Sequence, residues 1–295
     1  MEDIIIQGNT AIVTQRAITI DLFTSFIEYL DASPKTVETY TRAIRQFFKY
    51  VQEKGISQPT REDIIAYREY LKGSHKPTTV QNYIVAVRLF FQWTEQKGLY
   101  PNVAEHIKGA KLDKNHKKDY LTSRQVKKVL ETAKEESLQG LRDYAILALM
   151  FTGGLRTIEV SRANIEDLRI AGDSEVLYLQ GKGHEEKTDY IKLIPKVEDA
   201  IRVYLKARGT LDPTEPLFTS TSNNSRGDRI STRTISGIVK NALKNAGYDS
   251  DKLTAHSTRH TAVTLALMGG QKLEEVQQFA RHKNCLLYTS PSPRD

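Results

Sequence analysis

Apolar residues in the first third of the chain recur at helical spacing, and they do so twice. The segment Ser33 to Phe48 aligns without gaps with Lys76 to Phe91, and each copy has a proline in its first turn and ends at Lys-Gly. Within each copy the apolar residues lie three or four positions apart, which is typical of an amphipathic helix. They are Val37, Tyr40, Ile44, Phe47 and Phe48 in one copy and Val80, Tyr83, Val87, Phe90 and Phe91 in the other. The repeat predicts two similar helical hairpins packed as a small bundle, with these aromatic residues in its core.

Two shorter helices complete the predicted bundle. One is expected near Asp21, with Asp21 as its cap and Leu22, Phe26 and Leu30 along one stripe. The other runs through residues 60–71, with Thr60 as its cap and Asp63 near the positive helix end. Residues 1–19 show little periodicity and are expected to form a loosely ordered arm. The predicted bundle domain spans residues 20–106.

A basic segment without apolar periodicity follows at residues 107–119. It contains Lys111, Lys114, His116, Lys117 and Lys118. This pattern indicates an interdomain linker. Its charge suits a strap along a polyanionic backbone, and a flexible solvated tether has the same composition.

The second domain is predicted to be mostly helical, with a small antiparallel sheet. Thr122 is expected to cap its first helix, and residues 141–151 are apolar nearly all round, which is typical of a buried helix ending at Gly153-Gly154. Residues 176–180 and 190–194 alternate as two strands joined by a polar loop, and Pro195 closes the second. Further helices are expected around residues 200–205, 234–245, 258–268 and 273–281. The fold class is therefore mainly α with a small antiparallel β-sheet (α+β).

The formal charge of +7 over 295 residues favours a polyanionic partner, with nucleic acid ahead of a membrane, although an ordinary solvated basic surface has the same balance. The exposed faces of the repeated helices carry Lys35, Arg42, Arg45, Lys49 and Arg88, for which the same two interpretations apply. The single cysteine, Cys285, excludes an internal disulfide. The longest apolar run is far too short to span a bilayer, so we expect a soluble, cytoplasmic protein with no membrane partner.

Candidate chemistry is concentrated in the second domain. His256 and Arg259 are three residues apart, which brings both side chains to one face of a helical turn as a donor cluster for a phosphate. Arg156 follows the Gly153-Gly154 break, and Glu159 lies one turn later, where it can hold the arginine. Arginine suits a phosphate because it stays protonated and offers a planar fork to two oxygens.

Four short motifs follow one another along the second domain: Gly154-Leu-Arg156-Thr-Ile-Glu159, Gly181-Lys182-Gly183, His256-Ser-Thr-Arg259-His260 and Arg281-His282. Their order resembles that of the tyrosine recombinases of the phage-integrase and Xer type. The resemblance covers the chain from about Asp21 to Asn284. It implies a helical core-binding DNA-binding domain followed by a catalytic integrase domain at residues 120–284. It also implies cleavage and rejoining of double-stranded DNA through a 3′-phosphotyrosine, with no metal and no cofactor, by a homotetramer or a hetero-tetramer with a related recombinase.

The resemblance also implies roles for individual residues. Arg156 and Arg259 neutralise the non-bridging oxygens, and Lys182 is the general acid that protonates the leaving 5′-oxygen. His256 helps to deprotonate the nucleophile, and His282 donates to a phosphate oxygen. His260 is expected to support the site, and core packing or capping explains it equally well. Arg281 departs from the family pattern, which has glycine before the second histidine.

The nucleophile is the main departure from the family. A tyrosine is expected nine residues after His282, where this chain has Pro291, and Tyr288 lies three residues early. On a helix that offset is about 60° around the axis and roughly 4.5 Å along it, enough to spoil in-line attack. Residues 285–295 break with the composition before them and resemble translated adaptor sequence, so we expect a non-native tail and a chain without the nucleophile.

The sequence therefore predicts a site-specific DNA recombinase or integrase. The alternative is a catalytically inactive DNA-binding relative that occupies recombination sites. A metal-dependent nuclease is disfavoured, because no carboxylate cluster accompanies the histidines.

Overall fold

The computed structural model describes residues 15–111, 119–180, 186–210 and 212–281, with side chains described from residue 22 onward. The chain divides into two compact units, residues 1–115 and 116–295. Each has its own apolar core.

Four helices form the described part of the first unit: α1 (Gln15–Tyr29), α2 (Pro34–Glu53), α3 (Arg61–Lys72) and α4 (Pro77–Gln96). The predicted repeat is confirmed, because α2 and α4 are its two copies and both have 20 residues and begin at a proline. Thr60 caps α3 as predicted: its hydroxyl accepts from the Asp63 N–H, and the Asp63 carboxylate accepts from the Thr60 N–H at 2.8 Å.

Aromatic side chains fill the core of this unit, as the helical spacing predicted. Phe47, Phe90 and Phe91 are fully buried, and Trp93 is 2% exposed. Phe90 meets Phe26 edge-on, with ring centroids 5.2 Å apart. Packing against other rings accounts for the spacing of these residues along α2 and α4.

Two predicted boundaries in the first unit are wrong. Helix α1 begins at Gln15, so Asp21 lies within the helix and does not cap it. The expected linker begins too early, because Ile107 is buried and Arg68 Nη1 donates to the Lys108 carbonyl at 2.9 Å. The first fourteen residues of the expected arm, and residues 112–118 of the expected linker, lie outside the described residues.

In the second unit, α5 (Ser123–Thr132) leads into α6 (Leu138–Gly153) and the short α7 (Thr157–Arg162). Beyond the sheet come α8 (Pro195–Arg208), α9 (Thr232–Asn245), α10 (Ala255–Met268) and α11 (Leu273–Ala280). Helix α6 is buried along nearly its whole length, as its apolar sequence predicted, and packs against α8, α9 and α10. It is the central helix of this core.

The sheet has three antiparallel strands in the order β1 (Leu168–Ala171), β2 (Ser174–Leu179) and β3 (Asp189–Lys192). Strands β2 and β3 are the two predicted strands, and Tyr178 pairs with Tyr190 between them. Strand β1 was not predicted. It has four residues and lies at the sheet edge, where Ile170 is 82% exposed. Its own sequence indicates a strand only weakly, and its pairing with β2 stabilises the extended conformation.

Within the described part of the chain, no helix combines the length and the apolar character needed to cross a bilayer.

The two copies of the repeat differ at their caps, and this difference predicts a change in stability. Ser33 and Lys76 occupy equivalent positions with nearly the same backbone angles (φ −59°, ψ 149° and φ −65°, ψ 148°), but only Ser33 caps its helix with a side chain. We expect Ser33→Ala to destabilise the first unit by about 1 kcal/mol and Lys76→Ser to stabilise it by roughly 0.5 to 1 kcal/mol. Urea unfolding followed by the fluorescence of Trp93, the single tryptophan, measures both changes.

Lys76→Ala is the matched control, because it removes the same lysine without adding a hydroxyl group. If it stabilises the unit as much as Lys76→Ser does, the gain does not come from capping.

Candidate active site

Arg156 is placed by the turn between α6 and α7. Gly154 ends α6 in the left-handed region at φ 58°, where a Cβ would also meet the Phe279 ring at 3.3 Å. Glycine removes both obstacles. Leu155 is then fully buried, and Arg156 becomes the N-cap residue of α7. The apolar anchor fixes where Arg156 leaves the core.

A buried carboxylate holds Arg156 in place. Glu159 is 1% exposed, and its oxygens accept from the Arg156 backbone N–H at 2.8 Å and from Arg156 Nη1 at 2.7 Å. Arg281 Nη2 donates to the same carboxylate at 3.0 Å. Burial raises the pKa of Glu159, but the charge of Arg281 and the hydrogen bonds from Arg156 outweigh it and hold this pKa below its ordinary value of 4.5. Glu159 is therefore ionised at neutral pH, between two guanidinium groups.

Arg156 and His256 line the same pocket, which has a volume of about 540 Å³. The Arg156 side chain is 29% exposed, and His256, in the first turn of α10, is exposed. The remaining lining residues are Leu155, Thr157, Ile158, Ser236, Lys240, Thr254 and Ala255. No carboxylate occurs among these lining residues, so the pocket attracts an anion.

Lys240 is a basic residue of this pocket that the sequence analysis missed. Its ammonium group donates to Asp249 Oδ1 and to the Ser250 carbonyl, both at 2.9 Å, and its side chain is 39% exposed. Ser236, four residues earlier on α9, lines the pocket beside it. The sequence does show Ser236 and Lys240 four residues apart, which places them on one face of an amphipathic helix. This spacing did not indicate that the face lies at the pocket of Arg156.

Arg259 is buried behind the turn that carries Arg156. It is 3% exposed, and it donates through Nη1 to the Gly154 carbonyl at 2.7 Å and through Nη2 to the Ala280 carbonyl. His256 and Arg259 therefore do not form one exposed donor cluster, although both belong to α10. The guanidinium of Arg259 instead joins the end of α6 to the end of α11.

The structure assigns His260 a packing contact. Its ring meets Tyr120 edge-on, with centroids 5.9 Å apart. Several predicted site residues lie outside the described residues, so their expected positions are not tested. They are Lys182, His282 and residues 285–295, which include Tyr288 and Pro291.

The described end of the loop that carries Lys182 is anchored. Lys187 Nζ donates to Asp167 Oδ2 at 2.6 Å, and Asp167 is 1% exposed. The same carboxylate oxygen accepts from the Asn164 N–H at 2.7 Å. This ion pair fixes the chain just before β3.

In the described ranges, no group of three or more histidine, cysteine, aspartate or glutamate side chains is arranged to hold a metal ion.

Two family models match the chain. Residues 119–287 match the phage integrase family, and residues 20–101 match the N-terminal SAM-like domain of phage integrases. Among curated proteins, tyrosine recombinase XerC of Pelobacter propionicus is 32% identical over 256 residues, which are 85% of this chain and 82% of that protein. Tyrosine recombinase XerA of Pyrococcus horikoshii is 29% identical over 265 residues, 90% of this chain and 85% of that protein.

Solved structures share the fold at low sequence identity. XerH recombinase in a post-cleavage complex with a palindromic difH substrate has a TM-score of 0.72 at 17% identity, covering 91% of this chain and 79% of that one. A lambda integrase dimer bound to a COC′ core site has a TM-score of 0.70 at 16% identity, covering 93% of this chain and 99% of that one. The family match spans more than half of the chain, and the XerC relative spans most of it. This chain therefore belongs to the phage integrase family and is a tyrosine-type site-specific recombinase.

Proposed function

We propose that the pocket shared by Arg156 and His256 binds the scissile phosphate of one strand of double-stranded DNA. The observation that carries this proposal is the fixed orientation of Arg156, which Glu159 holds at two points while its side chain remains 29% exposed at the pocket. A cation held in place before the substrate arrives stabilises a five-coordinate phosphorus without reorganising.

In this proposal Arg156 and Arg259 are the two arginines that balance charge on the non-bridging oxygens. The buried guanidinium of Arg259 donates to the carbonyl of Gly154, which is two residues before Arg156. In the proposal it acts on the phosphate from this buried position. A charge away from water acts over several ångströms with little screening. His256 assists deprotonation of the attacking hydroxyl group at the pocket. Lys182 as the general acid and His282 as a hydrogen-bond donor to a phosphate oxygen complete the proposed set.

We also propose that residues 20–106 form a DNA-binding domain and that residues 120–284 form the catalytic domain. Arg42, Arg45 and Arg88 are exposed on α2 and α4. Arg42 is already paired with Glu38 on its own helix at 3.0 Å, and Arg45 lies over the Phe23 ring at 5.5 Å. Lys35 and Lys49 are also paired with glutamates on α2. Arg88 is therefore the basic residue of α2 and α4 that we expect to contribute most to phosphate contact.

We infer a tetramer on two duplexes as the working assembly and the cytoplasm as its compartment. The assembly is supported by a lambda integrase tetramer bound to a Holliday junction, which has a TM-score of 0.69 to this chain. Exchange of strands between two duplexes requires more than one active site, which agrees with such an assembly.

Replacing Arg156 tests the phosphate site. We expect Arg156→Gln to weaken binding to a fluorescein-labelled duplex about tenfold, since it removes charge-assisted hydrogen bonds. The slope of log affinity against log salt should fall by about 1, the contribution of one phosphate contact. Fluorescence anisotropy over a salt series measures both quantities.

Arg202→Gln is the matched control, because Arg202 is 64% exposed and paired with Glu198, and it does not line the pocket. Equal losses in the two variants would mean that only net charge matters and that the pocket has no special role.

A pool of nicked duplexes with a randomised core tests the nucleophile. We expect this chain to bind the pool without forming a covalent adduct that resists denaturing electrophoresis, because it has proline where the family has its tyrosine. A DNA adduct of the unmodified chain that maps to Tyr288 would contradict this expectation. Cleavage that a metal chelator abolishes would favour a metal-dependent nuclease.

The lowered pKa of Glu159 predicts a pH-dependent contribution to stability. Because the pKa of the folded state lies below the ordinary value of 4.5, the stabilisation is fully present above that pH and is lost as the pH falls through the folded pKa. We expect Glu159→Gln to cost about 3 kcal/mol at pH 7, since Arg281 keeps a buried charge without a counter-ion. The difference between wild type and variant should shrink in acid.

Urea unfolding followed by circular dichroism at several pH values measures this difference, and Trp93 fluorescence identifies the transition of the first unit. Glu131→Gln is the control, because Glu131 pairs with Lys127 at 3.9 Å with both side chains more than half exposed, and its loss should cost at most about 1 kcal/mol. A Glu159→Gln deficit that stays constant from neutral to acid pH would contradict the electrostatic account.

A further inference from the structure

Arg281 occupies an unusual position directly after α11. Its backbone is left-handed, at φ 50° and ψ 44°, a conformation that favours glycine. Its side chain is only 7% exposed. A long charged side chain in such a place needs partners that hold it there.

Two of those partners, Glu159 and Gly154, also position Arg156. Arg281 Nη2 lies 3.0 Å from Glu159 Oε2 and 3.4 Å from the Gly154 carbonyl, and Nη1 donates to the Phe279 carbonyl at 2.9 Å. Glu159 Oε1 is meanwhile bonded to Arg156 Nη1 at 2.7 Å. The two oxygens of one buried carboxylate are thus divided between two arginines.

The balance of charge gives this arrangement a consequence. If Arg156 alone faced Glu159, the pair would be neutral and would attract an anion weakly. With Arg281 on the other oxygen, one negative charge lies between two positive charges, and the group keeps a net positive charge. Glu159 can then orient Arg156 without cancelling its attraction for a phosphate.

We propose that Arg281 is a positioning residue of the phosphate site, which supplies Glu159 with a second counter-charge and so keeps Arg156 both oriented and available to DNA. This inference rests on the proposed function of Arg156. It differs from direct contact, because Arg281 acts through Glu159 and does not line the described pocket. It also differs from a backbone role, because the left-handed turn alone would be served better by glycine.

Three substitutions separate these roles. Arg281→Met keeps an unbranched side chain without charge, Arg281→Gly relieves the left-handed backbone, and Arg281→Lys keeps the charge. In anisotropy titrations of the full chain with a fluorescein-labelled duplex, we expect the Met and Gly variants to bind about fivefold more weakly than wild type. The Lys variant should recover most of this loss, which a purely structural role does not predict.

A double-mutant cycle with Arg156→Gln then tests how Arg281 acts. If Arg281 works through Arg156, the loss caused by Arg281→Met should be clearly smaller in the Arg156→Gln background than in wild type, because only its share of the net charge is then removed. A loss as large as that in wild type would indicate that Arg281 contacts phosphate by itself and would overturn the proposal. Wild-type affinity in the Met or Gly variant would overturn it as well.

Controls keep these outcomes distinct. Arg202→Met removes an exposed arginine that is paired with a glutamate, and it should leave affinity within twofold of wild type. Near-ultraviolet circular dichroism verifies folding, and if Arg281→Met does not fold, Arg281→Lys and Arg281→Gly carry the comparison. If Arg156→Gln binds DNA like wild type, the proposed function itself fails, whereas an effect of Arg156→Gln without an effect of Arg281→Met refutes only the role of Arg281.

Discussion

The buried carboxylate of Glu159 is the interaction on which the rest of the site depends. It accepts hydrogen bonds from the backbone and side chain of Arg156 and from Arg281, which is 122 residues further along the chain. A buried anion is stable only when its charge is compensated, and here two guanidinium groups provide that compensation. The start of α7 and the end of α11 are therefore held together by electrostatics as well as by packing.

Carbonyl groups complete the same arrangement. The Gly154 carbonyl accepts from Arg259 and from Arg281, and the Ala280 carbonyl accepts from Arg259. The side chains of Arg156, Arg259 and Arg281 thus lie around the turn between α6 and α7. Their mutual repulsion is offset by the Glu159 carboxylate and by carbonyl dipoles. In the proposed phosphate site, cations that are in place before the substrate arrives keep the barrier low, because they need no reorganisation during the reaction. In that proposal Arg281 adds positive charge to the site while Arg156 stays fixed.

Much of the fold follows from local signals. The repeated helices, the Thr60 and Thr122 caps and the buried α6 were all predicted, since each depends on residues within a few positions of one another. Two of the predictions that failed depend on distant contacts. Ile107 packs into the first core, where Arg68 also binds the Lys108 carbonyl, and β1 pairs along its length with β2. Neither contact is visible in a window of neighbouring residues.

The sequence by itself determined the family and the helical hairpins, and it indicated the arginines and histidines from which the proposed phosphate site is built. Only the tertiary structure decided where those residues lie. It exposes His256 at a pocket, buries Arg259 behind Gly154 and places Lys240 at the same pocket as Arg156. The physical reason is that helical spacing fixes which side chains share a face, whereas the packing of α10 between α6 and α11 decides which face meets the core and which lies at the pocket.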